Sequence, residues 1–106
     1  MPNYNSGITY AYKSSDDVNT QRYVAISDCY IQGLSRTQTK AGTPFVRLII
    51  DDVTVYEGQG SFAKYNYVWS PLFFVKKGAT IVYTISNGSE ATDGVNALCI
   101  YKTQNV

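Results

Sequence analysis

The chain contains no histidine, which removes the commonest general base of enzymes and a ligand of most zinc sites. Its two cysteines are too few and too far apart in sequence for a metal framework. Neither a P-loop nor a glycine-rich dinucleotide motif is present. These absences predict a protein that is not an enzyme and that holds no cofactor or metal ion.

The acidic residues form two adjacent pairs, Asp16-Asp17 and Asp51-Asp52. Adjacent carboxylates in a loop can bind calcium, but the spacing of an EF-hand is absent. We therefore interpret both pairs as solvated turn residues.

Charge and hydropathy give no sign of nucleic acid or membrane partners. The formal net charge is +1, and the nine basic residues are scattered, with only Lys76 and Lys77 adjacent. No apolar run approaches the roughly 18 residues of a membrane span. The first residues lack the charged and apolar regions of a signal peptide, so we expect synthesis in a cytoplasm.

The two cysteines, Cys29 and Cys99, both lie in apolar surroundings. Two readings stay open from sequence. They are buried free thiols, which pack like small hydrophobic residues. Alternatively they form a bond between two strands, which requires their Cα atoms to lie within about 7 Å.

Helical periodicity is absent, whereas short runs rich in Val, Ile, Thr, Tyr and Phe recur between clusters of Gly, Asn, Asp and Ser. This pattern predicts an all-β protein, a two-layer antiparallel β-sandwich of jelly-roll-like type. Residues 1–7 form a separate N-terminal arm in this reading, and residues 8–106 a single domain. About eight strands are predicted: Ile8–Lys13, Tyr23–Leu34, Phe45–Ile50, Val53–Glu57, Phe62–Trp69, Leu72–Val75, Thr80–Ser86 and Val95–Tyr101. The second is long, and a bend or bulge is expected in it near Asp28.

Turn residues separate these strands. Asp51-Asp52 is suited to a tight turn between two strands, and Gly58 with Gly60 marks the next turn. The stretch "SPLFFVKKGATIVYTISNG" predicts a hairpin that turns at Lys76-Lys77-Gly78, with Ile81, Tyr83 and Ile85 on one face. Asn87-Gly88-Ser89 matches a glycosylation acceptor, but we interpret it as a turn.

Ten tyrosines in 106 residues are the most unusual feature of the composition. Tyr65, Tyr67 and Trp69 alternate and so share one face of a strand. Because the other face of that strand is half polar, we expect these three residues in the core or in a subunit interface. Tyr10 and Tyr12 are better candidates for an exposed binding surface.

Three stretches, "VRLIIDDVTVYEG", "SPLFFVKKGATIVYTISNG" and "ALCIYK", resemble the small β-sandwich knobs at the ends of bacteriophage fibres. The matching elements are the turn at Asp51–Val53, the segment Phe74–Ala79 and the closing strand Ala97–Tyr101. These knobs are similar in plan to the trimeric heads of tumour-necrosis-factor and complement type. The resemblance covers residues 27–102 and rests on structural turns.

The resemblance implies a homotrimer that is part of a virion, made in the host cytoplasm, and that contacts other virion proteins and a glycan or protein of the host surface. No stalk precedes the knob, so we expect a free-standing virion protein docked by "MPNYNSG". Two alternatives stay open: a small soluble lectin, and a capsid decoration protein without a receptor role. Loops carry the contacts in this reading, and the candidate surface residues are Tyr10, Tyr12, Asp16, Asp17, Lys40, Gly58 and Glu90.

Overall fold

The computed structural model describes residues 3–15, 17–88 and 93–104. Nine strands lie within these ranges: β1 Asn3–Ser14, β2 Val18–Val24, β3 Cys29–Arg36, β4 Phe45–Ile50, β5 Val53–Gln59, β6 Tyr67–Trp69, β7 Phe73–Val75, β8 Thr80–Ser86 and β9 Val95–Gln104. None of the described ranges contains a helix long and apolar enough to cross a bilayer.

The strands form two antiparallel sheets packed face to face. One sheet has five strands in the order β1-β9-β3-β6, with β7 also paired to β3. The other has four strands in the order β2-β8-β4-β5. The predicted all-β, two-layer antiparallel sandwich is therefore confirmed, with nine strands in place of about eight.

The core lies between the sheets and follows the two-residue period of the strands. On β8, Ile81, Tyr83 and Ile85 share one face, as the alternation predicts, and this face is the buried one. Ile31 and Leu98 of the five-stranded sheet belong to the same buried cluster. Each sheet thus hides one apolar face, which is what holds the two layers together.

The turn at Asp51-Asp52 is also confirmed. Both residues have positive φ angles, 46° and 68°, and Ile50 pairs with Val53 across them. Two successive positive φ angles are typical of the type I′ turn, whose twist matches that of the flanking strands. The Asp51 carboxylate further accepts a hydrogen bond from the Thr80 amide at 3.0 Å.

The predicted long strand Tyr23–Leu34 is wrong. It is divided into β2 and β3, which lie in different sheets, and β2 begins at Val18 in a stretch interpreted as a loop. Between them Ala25 is buried and bonds through its backbone to Ala79 and Gly78. The chain crosses from one sheet to the other here without a Gly or Pro, close to Asp28, where the sequence predicts only a bend or bulge within one strand.

The predicted hairpin over residues 70–88 is also wrong. β7 pairs with β3 in the five-stranded sheet, whereas β8 pairs with β2 and β4 in the other sheet. The turn at Lys76-Lys77-Gly78, where Gly78 has a φ of 91°, therefore connects the two layers. A connection between layers and a hairpin use similar turn residues, so only the pairing partners distinguish them.

Three other boundaries differ from the prediction. The strand expected over Phe62–Trp69 is limited to β6, and Tyr65 lies in a turn with a φ of 52°. Gly58 lies within β5, opposite Val46, and is not a turn residue. β1 begins at Asn3, whose Cα is opposite Gln104. The docking role of residues 1–7 and the division at residue 8 stay predictions.

Gly33 marks the closest approach of the two sheets. A Cβ added there would lie 2.5 Å from Val46 Cγ1 of the facing sheet. We expect Gly33→Ala to lower the free energy of unfolding by about 1–3 kcal/mol, because the core cannot accept the extra methyl without shifting. Chemical denaturation measures this loss.

The matched background is Val46→Ala, which removes the obstructing methyl groups. In that background Gly33→Ala should cost much less, so the double-mutant cycle should show a favourable coupling. An equal cost of Gly33→Ala in both backgrounds would contradict the steric explanation.

Candidate functional site

The outer face of the five-stranded sheet carries a group of large aromatic side chains. Residues directly opposite each other on paired strands point to the same side of a sheet. Trp69 is opposite Leu34, and Tyr67 is opposite Arg36. Val68, between the two aromatic residues, is buried in the core. Trp69 and Tyr67 must therefore point away from the core.

The same argument extends this surface to the other strands. Phe74 of β7 is opposite Tyr30 of β3, and their ring centroids lie 5.5 Å apart in an edge-to-face arrangement. Tyr101 of β9 is opposite Tyr30 on the other side. Tyr10 of β1 is opposite Cys99 of β9. Four of these aromatic side chains are well exposed, and we call them the aromatic face: Tyr10 45%, Tyr67 59%, Trp69 45% and Phe74 45%.

Between the aromatic residues on the two edge strands lie side chains that are almost inaccessible. Leu34 (8% exposed) separates Trp69 from Ala97 (0%), and Cys99 (3%) lies next to Tyr10. Alanine and cysteine on the outer side of a sheet can be this inaccessible only if larger neighbouring side chains lie over them. The residues opposite them on the flanking strands are placed to cover them. Ala97 lies between Lys13 and Leu34, and Cys99 lies between Tyr10 and Gln32.

Polar groups on this surface are bonded to one another. The Tyr101 hydroxyl donates to Gln32 Oε1 at 2.9 Å, and Gln32 Nε2 donates to the Ser70 carbonyl at 2.9 Å. The Lys13 ammonium lies 4.9 Å from the centroid of the Tyr10 ring, a cation–π contact. These bonds fix the surface in position and occupy much of its capacity for hydrogen bonding.

Tyr65 continues the line of aromatic residues beyond the end of β6. Its amide donates to the Gln38 carbonyl at 3.1 Å, and the neighbouring Asn66 amide donates to Thr37 Oγ1 at 2.9 Å. These bonds hold an exposed tyrosine in the left-handed region, which non-glycine residues rarely adopt. Together with Arg36, Thr37 and Gln38 it lines a hollow of about 190 Å³.

The outer face of the four-stranded sheet is different in character. Arg47 lies 4.0 Å from the Glu57 carboxylate and donates to Thr84 Oγ1 at 3.3 Å. The Thr84 hydroxyl also bonds to Thr20 at 3.1 Å. Half-buried Phe45, Ile49 and Val82 also lie on this side, so it mixes polar and apolar groups. Among the described residues, none of the well-exposed aromatic side chains belongs to it.

The structure separates Tyr10 from Tyr12, which were expected to share an exposed face. Tyr10 is opposite Cys99, but Tyr12 is opposite Leu98, so Ala11 is an extra residue in β1. This β-bulge reverses the alternation. As a result Tyr12 packs against the core, and only Tyr10 reaches the aromatic face.

The expectation that Tyr65, Tyr67 and Trp69 lie in the core is wrong, because all three are exposed. Their strand offers Val68 to the core instead. The half-polar composition of the opposite face suggested the reverse orientation. Val68 of that face nevertheless enters the core, while Phe62 lies in a loop and Asn66 bonds to the Ser61 carbonyl. A role in a subunit interface stays a prediction.

The other candidate surface residues are not brought together with the aromatic face. Asp17 accepts hydrogen bonds from the Asn87 amide at 3.0 Å and from Asn96 Nδ2 at 3.4 Å, so it joins two loops at one end of the sandwich. Lys40 lines a hollow of about 320 Å³ with Ala41, Phe62 and Gly88. Asp16 and Glu90 lie outside the described residues. Gly58 is half-buried within β5.

Both cysteines are free and buried, so the interpretation as unbonded thiols is confirmed and the disulfide alternative is wrong. They point to opposite sides of the five-stranded sheet: Cys29 belongs to the core cluster, and Cys99 lies beneath the aromatic face. Burial raises the pKa of Cys99 to about 11, and it also raises the pKa of Cys29.

Within the described ranges no group of three or more His, Cys, Asp or Glu residues is placed to hold a metal ion. Phe74, Gln32 and Ser70 were not among the residues singled out from sequence. Phe74 could have been found, because it precedes Val75 in a predicted strand. Adjacent residues of a strand point to opposite faces, so one of the two must point outward if the other is buried.

No protein-family model matches the chain, and no curated protein matches its sequence. Two solved structures have a similar strand arrangement. One is a family 36 carbohydrate-binding module in complex with calcium and xylotriose, with 16% identity and a TM-score of 0.40 over 98% of this chain and 88% of that one. The other is a family 35 carbohydrate-binding module from an environmental isolate, with 11% identity and a TM-score of 0.38 over 99% and 93%. At such low scores the function has to be inferred from the residues of this chain.

The raised pKa of Cys99 generates a prediction about alkaline stability. Its thiol has an ordinary pKa of 9.0 and keeps its proton up to about pH 11 in the folded protein. Since the unfolded chain releases that proton earlier, the free energy of unfolding should fall between pH 9 and pH 11. The free energy of unfolding of Cys99→Ala should fall less steeply over this pH interval, as measured by chemical denaturation at a series of pH values. Parallel curves for the two proteins would contradict the assignment.

Proposed function

We propose that this protein is a non-enzymatic binding protein that holds a glycan on its aromatic face. The observation that carries the proposal is the exposure of Tyr10, Tyr67, Trp69 and Phe74 on one side of one sheet. A soluble protein rarely leaves so many large apolar groups together on its surface unless they bind a partner.

Sugar rings fit aromatic side chains for a simple physical reason. The faces of a pyranose ring present C–H groups, while its hydroxyl groups lie around the rim. An exposed indole or phenol ring covers such a face with a large apolar area and loses few rotamers on binding. Trp69 and Tyr67 offer this kind of surface.

The position of these residues also favours binding. Trp69 and Tyr67 are on a β-strand paired with β3, so their backbone is held by the sheet ladder. Tyr10 is held by β9, and the Lys13 contact fixes its ring. A surface that is already ordered loses less conformational entropy when it binds, so more of the contact free energy appears as affinity.

The single tryptophan of the chain is a reporter for this proposal. We expect the fluorescence of Trp69 to change when a glycan that binds is added. We expect Tyr67→Ala, which keeps the reporter, to weaken the affinity roughly fivefold or more, because truncation of a contact residue typically costs about 1 kcal/mol or more.

The matched control is Phe62→Ala, which removes an aromatic side chain of 71% exposure that lies in a loop outside the aromatic face. Its affinity should equal that of the unmodified protein. A loss with Phe62→Ala but none with Tyr67→Ala would place the glycan in the hollow beside Lys40 and overturn the proposed site.

A second candidate is the trimeric virion knob, in which the same surface is a subunit interface. The observation that favours it is that Tyr65, Tyr67 and Trp69 are accessible to a second copy. Cores of interfaces are enriched in Tyr, Trp and Phe and depleted of charged residues. In this candidate the protein is part of a virion, and loops such as the one at Lys40 contact the host surface.

Native mass separates the two candidates. A knob should give three times the 11.8 kDa mass of one chain in light scattering on a size-exclusion column, and Trp69→Ala should dissociate it. A stable monomer with an intact aromatic face would contradict the trimer for the isolated protein and favour glycan binding.

A further inference from the structure

We propose that the ligand of the aromatic face is an ordered, insoluble polysaccharide, built of equatorially linked pyranose rings as in cellulose or chitin, and not a soluble oligosaccharide. This inference rests on the proposed function. It follows from the size of the face, the burial of the small residues in its middle and the state of its polar groups.

The face is wider than a single sugar ring. Trp69 lies on β6 at one edge of the sheet and Tyr10 on β1 at the other, separated by three strand spacings of about 4.8 Å, or about 14 Å. Along β3, Tyr30 opposite Phe74 and Arg36 opposite Tyr67 are six residues apart, which is about 20 Å. No one ring reaches all four aromatic residues, so the full surface is used only by several rings at once.

The middle of this area has no opening into which a sugar ring could be inserted. Ala97 and Cys99 are almost inaccessible although their side chains are small. A soluble oligosaccharide is held best in a cleft that surrounds its rings and meets its hydroxyl groups. A wide area that is filled in the middle fits a solid whose own surface is broad.

The polar groups of the face are largely engaged within the protein. Gln32 is bonded through both its amide oxygen and its amide nitrogen, to Tyr101 and to the Ser70 carbonyl. Lys13 lies over Tyr10. The groups in the middle of the face are therefore already bonded and are poorly placed to replace the water around the hydroxyls of an isolated soluble chain. The exposed Arg36 lies at one end of the face, opposite Tyr67.

An ordered polysaccharide avoids this requirement. Its hydroxyl groups are bonded within the solid, and its surface presents the apolar faces of many rings in one plane. The aromatic residues then displace water from apolar area on both partners. Several weak ring contacts act together because they are held on one rigid sheet, which raises the overall affinity.

The experiment measures depletion of the protein from solution by microcrystalline cellulose and by crystalline chitin. Soluble cello- and chito-oligosaccharides are titrated in parallel with Trp69 fluorescence as readout. We expect depletion by at least one solid, and no fluorescence change with the oligosaccharides. We also expect Trp69→Ala and Tyr10→Ala, at opposite edges of the face, each to lower the partition coefficient roughly fivefold or more.

Two controls make the result specific. Phe62→Ala removes an exposed aromatic residue elsewhere and should bind the solids like the unmodified protein. Binding should also persist when NaCl is raised from about 50 mM to about 500 mM, because that change screens charge but not apolar contact. Thermal unfolding and circular dichroism verify that each variant is folded.

The outcomes separate this inference from the proposed function. Binding of soluble oligosaccharides that is weakened by Tyr67→Ala, without depletion by either solid, would overturn the insoluble ligand and leave glycan binding in place. The absence of binding to every glycan would overturn both. An equal loss with Phe62→Ala and Trp69→Ala, or loss of binding in high salt, would identify nonspecific adsorption and overturn the inference.

Discussion

The placement of the candidate site depends on the pairing of strand β3. β9 pairs along the whole of one side of β3, and the short strands β6 and β7 share the other side. Strands of three residues have too few ladder bonds to hold a register alone. The positions of Trp69 and Phe74 are therefore set by Leu34 and Tyr30, the residues opposite them. The inner side of β3 adds the second constraint, since Gly33 lets the facing sheet approach.

The core does not depend on the aromatic face, because other residues attach the short strands β6 and β7 to it. Val68 and Val75, on the same short strands as Trp69 and Phe74, enter the core and attach these strands to it. Burying a large apolar side chain stabilises a fold by about 1.5–3 kcal/mol. The chain forgoes part of this contribution at the four exposed aromatic positions. The binding role that we propose rests on these positions, which the fold does not need for its core.

Glycan binding and self-association both use exposed aromatic residues, but they require different hydrogen bonds from the polar groups around those residues. A second copy of the chain brings its own side chains to the rim of the contact, where hydrogen bonds and water are common. A sugar brings hydroxyl groups next to every ring. On this surface Gln32 and Tyr101 are bonded to each other. That arrangement favours a ligand whose hydroxyl groups are already satisfied, and it connects the character of the site to the physical state of the ligand.

Much of the architecture could be predicted from local pattern. The runs of β-branched and aromatic residues indicated an all-β sandwich, and Asp51-Asp52 indicated a tight turn. The alternation on β8 indicated that Ile81, Tyr83 and Ile85 share one face. These features depend on residues that are close together in the sequence, so they can be recognised from the two-residue period of a strand. The excess of tyrosine pointed to surface contact in the same way, although not to a particular surface.

The sequence by itself thus determined the class of the fold, the alternation within its strands and the residue types available for a site. The tertiary structure alone decided which face of each strand points outward. Alternation defines two faces but does not say which one meets the core, and the single extra residue Ala11 sends Tyr12 inward while Tyr10 stays outside. The tertiary structure also decided that β7 and β8 belong to different sheets, because pairing partners far apart in sequence compete for each strand. The aromatic face results from these long-range pairings, and no local pattern contains it.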